Sequence, residues 1–209
     1  ERLWAKWHAL WDPRPFVRNM KMPVVWSAST TDFFFPFDCL ERGFDLLPSA
    51  PQLAVRVGMK HSHGPAGENV PEIFQAADRI LRNGPDMPRV KSFLVKDGRI
   101  SASFDLKGRK TKGFDLCWTT SDGDWRNRKW EVRRTLSAAG DFTAELPVDA
   151  RAAFVNLVLD ELTGEGTYPE SVVSTKAWFR PVPTPVPAVS AGFAAVPVVR
   201  RNSLVLTHP

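Results

Sequence analysis

Apolar residues recur at two different spacings along this chain, and the spacing changes near residue 89. Before that point, runs with the three-to-four-residue spacing of helices alternate with short, continuous apolar runs. After it, apolar and polar residues alternate one by one in short segments that turn sequences separate. The first pattern is typical of an α/β layer and the second of antiparallel sheets. We therefore expect an α/β portion followed by an all-β portion.

The α/β portion has the order strand, helix, strand, helix. The apolar runs at 22–26 and 52–59 lack alternation, which is typical of parallel strands buried on both faces. Helical patterns follow at 37–47 and 70–84. A Trp-rich helical pattern also opens the chain at 1–11, and nothing before it could cover its apolar face. We therefore expect two parallel strands with helices, from a sheet whose N-terminal part is missing.

The all-β portion contains seven short alternating segments between residues 90 and 179, at roughly ten-residue spacing. This spacing predicts an antiparallel β-sandwich of immunoglobulin-like type, with Trp118 pointing into its core. From residue 180 the sequence "PVPTPVP" follows, and proline at alternate positions cannot join a strand ladder. The predicted organisation is therefore 1–88 for the α/β portion, 89–180 for the sandwich and 181–209 for an extended or disordered tail.

Charge and composition exclude some partners. The net charge is +5 and the pI about 9.5, yet Lys and Arg are dispersed, and the densest run, 126–134, is broken by Trp, Glu and Val. We read that run as a solvated strand face rather than a phosphate-binding patch, so no nucleic-acid partner is expected. No apolar stretch approaches the ~20 residues of a membrane span, so no membrane partner is expected either. Cys39 and Cys117 are predicted to be buried free thiols.

One carboxylate and two histidines follow the two predicted strands. Asp32 lies just after the first strand, and His61 and His63 lie just after the second. The carboxyl ends of neighbouring parallel strands meet at one edge, where ligands bind in open α/β sheets. A carboxylate that accepts the Nδ1–H of a histidine fixes its tautomer and stabilises the imidazolium. The pattern therefore predicts an acid–histidine pair, although a turn-forming Asp32 and a structural histidine pair remain alternatives.

Two further assignments compete for these residues. Asp38 is a second carboxylate, but it falls in the first turn of a predicted helix, where an acid complements the helix dipole. The two histidines with Glu68 could suggest zinc, since histidines at i and i+2 on an extended chain face the same way. A third and a fourth ligand are not evident, so we expect no metal.

The same residues carry a resemblance to a known family. "MPVVWSASTTDFFFP" and "LAVRVGMKHSHG" resemble the last two strands of an α/β-hydrolase, with the acid in a D-x-x-x-P turn and the histidine after the final strand. "PEIFQAADRILRNGPDMPRV" followed by a β-sandwich resembles, more narrowly, multi-domain hydrolases of the acetylxylan esterase and dienelactone hydrolase type. PhoPQ-activated pathogenicity-related proteins have a comparable arrangement.

The resemblance implies a fold and a chemistry. The chain would be the C-terminal part of an α/β-hydrolase sheet, carrying Asp32 as the triad acid and His61, by its register, as the base, with His63 as the backup. The family order along the chain, Ser then Asp then His, fits. No G-x-S-x-G occurs in the 209 residues, so the nucleophile would belong to the missing N-terminal part and the isolated chain would be inactive.

The implied activity is that of a serine ester hydrolase without a cofactor. Its substrate would be a small-molecule or polysaccharide ester such as an acetylated sugar, and its location secreted or periplasmic. A prolyl-oligopeptidase-like peptidase is an alternative, since it shares the triad and its order. Phe33 and Phe34 are candidates to line an acyl or alcohol pocket, although such runs more often belong to a core.

A non-catalytic module is the second class of function. The β-sandwich could bind carbohydrate by stacking sugars on Trp125, which follows a Ser-Asp-Gly-Asp turn, or it could pack structurally on the hydrolase portion. A flat, exposed Trp125 ring would favour sugar binding, and a buried ring would exclude it.

Overall fold

The computed structural model of the chain describes residues 2–160 and 168–181. Sheets dominate this part of the chain, and a few helices accompany them. The predicted tail at 181–209 lies outside the described residues except for its first residue, Pro181.

The helices fall mostly in the first 81 residues. They are α1 (Arg2–Trp11), α2 (Arg14–Val17), α3 (Phe37–Phe44), α4 (Pro65–Glu68) and α5 (Pro71–Leu81), with a 3₁₀ turn at Trp125–Asn127. The helix predicted at 37–47 thus ends three residues early, at Phe44. Beyond α5, Asn83 takes a positive φ of 54°, and the N–H of Gly84 donates to the carbonyl of Asp78 at 3.0 Å. No helix in the described ranges is both long and apolar enough to cross a membrane.

The amphipathic pattern of α1 leaves its apolar side chains facing solvent. Each of them exposes more than half of its surface: Leu3, Trp4, Trp7, Leu10 and Trp11. The helix forms as its spacing predicts, but no described residue of α1 is buried.

Two strands form a parallel pair. β1 (Val25–Ser29) and β2 (Gln52–Arg56) pair residue for residue, from Val25 opposite Gln52 to Ser29 opposite Arg56. The N–H of Thr30 donates to the carbonyl of Arg56 at 3.1 Å and extends the pairing one residue further. Both strands therefore end at the same edge, and the loops that follow them lie side by side.

The remaining strands form two antiparallel sheets. One has the order β3-β4-β7, and the other has the order β10-β8-β5-β6 with β9 also paired to β8. Their bounds are β3 (Arg89–Lys96), β4 (Arg99–Asp105), β5 (Thr111–Thr119), β6 (Glu131–Leu136), β7 (Asp141–Glu145), β8 (Ala152–Leu159), β9 (Val172–Ser174) and β10 (Trp178–Phe179).

The last predicted strand is divided into β9 and β10. Between them, the hydroxyl of Thr175 accepts the N–H of Val155 at 3.0 Å, while the Thr175 N–H donates to the Val155 carbonyl at 2.9 Å. A side chain thus replaces a backbone carbonyl as the acceptor and interrupts the regular ladder at this point.

The two antiparallel sheets share one hydrophobic cluster. Phe114 is fully buried, and its ring centre lies 5.8 Å from that of Phe104 and 5.2 Å from that of Phe142, both on the other sheet. Trp118 belongs to the same cluster, as the alternation in its strand predicts. Burial of such aromatic and aliphatic area, at about 25 cal/mol per Å², holds the sheets together.

The parallel pair is joined to the antiparallel sheet that contains β8. The backbone of Val55 points away from β1, and its N–H donates to the hydroxyl of Ser174 at 2.7 Å while its carbonyl accepts the amide of Asn156 at 3.0 Å. Phe37 and Val55 also pack in one cluster with Cys117 and Phe154. Packing therefore crosses the predicted boundary between 88 and 89, which stays a prediction.

Both cysteines are free thiols, but only one is buried. Burial raises the pKa of Cys117 well above its ordinary value. Cys39 is exposed, so the prediction of two buried thiols is wrong at this position. The reason is the helical period of α3, which turns Phe37 and Phe44 inward and leaves Cys39 on the outer side.

Candidate active site

Asp32 and His61 lie together at the carboxyl edge of the parallel pair. Asp32 follows the end of β1 at Ser29 by three residues, and His61 follows the end of β2 at Arg56 by five. The Oδ2 atom of Asp32 lies 2.9 Å from Nδ1 of His61. The two side chains are 12% and 23% exposed, respectively. The structure thus brings the predicted acid into hydrogen-bond contact with the first-choice histidine.

The second oxygen of Asp32 caps its own turn. Oδ1 accepts the N–H of Phe34 at 2.8 Å and that of Phe35 at 2.9 Å. Burial raises the pKa of Asp32, but the hydrogen bonds from Phe35, His61 and Phe34 outweigh burial and hold the pKa below its ordinary value of 3.8. Asp32 therefore stabilises its own turn with one carboxylate oxygen and contacts His61 with the other.

The ionised carboxylate decides the tautomer of the neutral imidazole. A carboxylate can only accept hydrogen bonds, so Nδ1 of His61 carries the proton that Asp32 accepts. The other ring nitrogen, Nε2, then has a free lone pair. The arrangement holds a basic nitrogen in a fixed orientation, which is the requirement for removing a proton from a hydroxyl group.

The lowered pKa of Asp32 predicts an acid-dependent loss of stability. Because the folded pKa lies below the unfolded value, ionised Asp32 stabilises the fold above pH 3.8, and this contribution disappears as the pH falls through the folded pKa. D32N keeps the turn acceptor but not the charge. In urea unfolding between pH 7 and pH 2, we expect the wild-type advantage over D32N to vanish only below about pH 4. A difference that is constant across this range would contradict the expectation.

Three phenylalanine rings surround the imidazole. The ring centres of Phe33, Phe34 and Phe35 lie 5.1, 4.9 and 6.0 Å from that of His61. All three rings are more than half exposed, so they do not belong to a core. They form an apolar surface beside the acid–histidine pair.

His63 lies apart from this pair. Its side chain is 94% exposed, and its Nδ1 lies 3.9 Å from Oε1 of Glu68. Asp38 lies in the first turn of α3, as predicted. Within 2–160 and 168–181, no three His, Cys, Asp or Glu side chains are arranged so that they could hold a metal ion.

A buried ion pair at the end of β2 was not predicted from the sequence. The carboxylate of Glu72, on α5, is fully buried, and its Oε1 accepts from Arg56 at 2.5 Å and from the Val172 N–H at 2.6 Å. Burial raises the pKa of Glu72, and the charge of Arg56 opposes that rise. Arg56 also donates to the Glu170 carbonyl at 2.8 Å and lies over the Tyr168 ring. Since Arg56 ends β2, the pair anchors the strand that leads to His61.

The Trp125 ring is half-buried and closely surrounded. The guanidinium of Arg128 lies 3.5 Å from the ring centre, over one face. Phe37 and Phe179 contact the ring edge-on, at 6.0 and 5.5 Å between centres, and Trp130 lies near-parallel at 6.4 Å. The ring is thus neither fully exposed nor fully buried, and sugar binding at Trp125 stays a prediction.

Comparison with known proteins gives a weak structural likeness. No family model matches the chain, and no curated protein matches it. Among solved structures, a carbohydrate acetylesterase from Xanthomonas citri is similar over 73% of this chain, at 13% identity and a TM-score of 0.30. The chain spans 38% of that protein's length. The weak structural neighbour is thus an acetylesterase that is more than twice as long as the matched region.

Proposed function

We propose that this chain is the acid–histidine part of a serine hydrolase that cleaves carboxylic esters. The contact of 2.9 Å between Asp32 Oδ2 and His61 Nδ1, at the edge where two parallel strands end, is the observation that carries the proposal. This is the edge at which open α/β sheets bind ligands. The low exposure of both side chains supports a dyad whose charge is shielded from water.

The reaction would follow the logic of a nucleophilic triad. Nε2 of His61 takes the hydroxyl proton of a serine as the serine oxygen attacks the ester carbonyl, and Asp32 stabilises the imidazolium. The imidazolium then gives its proton to the departing alcohol, which leaves an acyl-enzyme. Water, deprotonated by the same nitrogen, releases the carboxylic acid and regenerates the serine.

The serine would come from a segment outside the 209 residues. The absence of G-x-S-x-G from the sequence supports this, because that motif sets the nucleophile on a sharp strand-to-helix turn. In this proposal, residues 1–88 complete an α/β-hydrolase sheet and 89–180 form an immunoglobulin-like β-sandwich. The packing of Val55 against Ser174 and Asn156 supports a structural role for the second portion.

The substrate would be an ester of a small molecule or of an acetylated polysaccharide, as the resemblance to acetylxylan esterases implies. The exposed rings of Phe33 and Phe34 stand beside His61 and could contact an apolar acyl or alcohol group. A pocket at this position would accept an uncharged ester more readily than a charged one, because unpaired charge is costly against apolar walls.

Labelling with a fluorophosphonate tests the source of the nucleophile. This probe phosphonylates activated serines, and the protein is isolated from its natural source with an antibody against the 209-residue chain. We expect mass spectrometry to locate the label on a serine outside these residues. The recombinant 209-residue chain, as the matched control, should remain unlabelled. A labelled serine within the 209 residues, or no label on the native protein, would overturn the proposal.

A further inference from the structure

One buried threonine, Thr30, forms hydrogen bonds between the segments that carry Asp32 and His61. Thr30 follows β1 directly and is fully buried. Its N–H donates to the carbonyl of Arg56 at 3.1 Å, and its Oγ1 accepts the N–H of Gly58 at 3.1 Å. Thr30 therefore contacts the second loop on both sides of Val57.

The backbone conformation of Gly58 explains why the hydrogen bond from its N–H to Thr30 affects the position of His61. Gly58 has a φ of +67°, a backbone conformation that residues other than glycine rarely adopt. The chain turns here, between the end of β2 and His61. A bond that fixes the Gly58 N–H therefore fixes where the turn points, and His61 follows three residues later.

On the other side, Thr30 precedes Asp32 by two residues. The Asp32 carboxylate is already held by the Phe34 and Phe35 amides within its own turn. Neither of these bonds relates the position of the turn to the second loop. The two Thr30 hydrogen bonds supply that relation through the backbone, beside the contacts that Asp32 and the rings of Phe33–Phe35 make with His61 itself.

We propose that Thr30 is a positioning residue, whose hydroxyl aligns the His61 loop with Asp32 and so keeps the acid–histidine pair in hydrogen-bond contact. The inference rests on the proposed function for its catalytic meaning. Whether Thr30 keeps Asp32 and His61 in hydrogen-bond contact can be measured in the 209-residue chain alone, because the proton on Nδ1 of His61 reports that contact.

The experiment compares T30V, T30S and D32A by NMR of the 209-residue chain. T30V keeps the shape of threonine but removes the acceptor, whereas T30S keeps the hydroxyl. The rate at which the His61 Nδ1 proton exchanges with water reports how often the pair opens. Because a lost hydrogen bond of this kind shifts such an equilibrium by about two- to ten-fold, T30V should raise the rate by that factor. T30S should stay near wild type, and D32A should shift the imidazole toward its Nε2–H tautomer.

The outcomes separate the two proposals. An unchanged exchange rate in T30V, with a clear tautomer shift in D32A, would overturn the positioning role and leave the acid–histidine pair intact. No tautomer shift in D32A would instead count against the pair and the proposed function. If T30V does not fold, hydrogen exchange in the wild-type chain tests the proposal instead. The Gly58 amide should exchange at least about ten-fold more slowly than an open amide. An unprotected Gly58 amide would overturn the proposed hydrogen bond to Thr30 and with it the positioning role.

Discussion

Replacing His61 with alanine in the intact enzyme is expected to lower kcat for ester cleavage by about 10⁶-fold, the order of magnitude found when a triad histidine is removed. The reason is that, in the proposed mechanism, Nε2 of His61 both takes and returns the serine proton, so its loss would disable acylation and deacylation together. D32N, which keeps the turn acceptor but removes the charge, is expected to cost about 10⁴-fold. Steady-state hydrolysis of an aryl acetate by the protein from its natural host, with each variant introduced in its gene, provides the measurement.

H63A is the matched control for H61A. The two histidines are separated by one residue, yet the His63 side chain is 94% exposed, whereas that of His61 is 23% exposed and contacts Asp32. We expect H63A to change kcat by less than about three-fold, in line with the small effects of surface substitutions. Equal losses in the two variants, or an H61A variant that retains a tenth of the activity, would refute the assignment of His61 as the base.

Replacing Glu72 with alanine is expected to lower the free energy of unfolding by about 3–5 kcal/mol, the usual cost of removing one partner of a buried ion pair. Glu72 is fully buried, so E72A leaves Arg56 without its carboxylate partner and the Val172 N–H without its acceptor. Arg56 keeps its bond to the Glu170 carbonyl, which places the expected loss toward the lower part of this range. Urea unfolding at pH 7, followed by far-UV circular dichroism, measures the change.

Two comparisons make the Glu72 experiment specific. Glu68 lies four residues earlier with a side chain that is 59% exposed, so E68A should change stability by less than about 0.5 kcal/mol. The double variant R56M/E72M replaces both charges with apolar side chains and should recover part of the loss, because no unpaired charge stays buried, whereas the Val172 N–H still lacks its acceptor. If E72A proves no more destabilising than E68A, the ion pair does not anchor β2.

The contact between Asp32 and His61 could be anticipated from the sequence because local pattern and topology agree there. Two short apolar runs without alternation predict parallel strands, and neighbouring parallel strands must end at one edge. Residues that follow the two strands by a few positions therefore lie close to each other at that edge. The same local reasoning anticipated α5 and the inward position of Trp118, which depend on periodicity within a single element.

Contacts between distant segments could not be anticipated in this way. The partners Arg56 and Glu72 stand 16 residues apart on different elements, and nothing in either local pattern pairs them. The surroundings of Trp125 depend on Arg128 nearby but also on Phe37 and Phe179, far away along the chain. The exposure of Trp125 depends on these assembled neighbours, so the pattern of its own segment could not determine it.

The residue-for-residue pairing of β1 with β2 has an evolutionary consequence. Because Ser29 stands opposite Arg56, the acid and the histidine are located by counting, three residues beyond one strand and five beyond the other. Substitutions within the strands preserve that count, so their apolar residues can drift among Val, Ile and Leu. An insertion or deletion between Arg56 and His61 changes the count and moves the imidazole away from the carboxylate. Lineages of this protein that keep the pair should therefore vary in the composition of these strands while keeping the length of this loop constant.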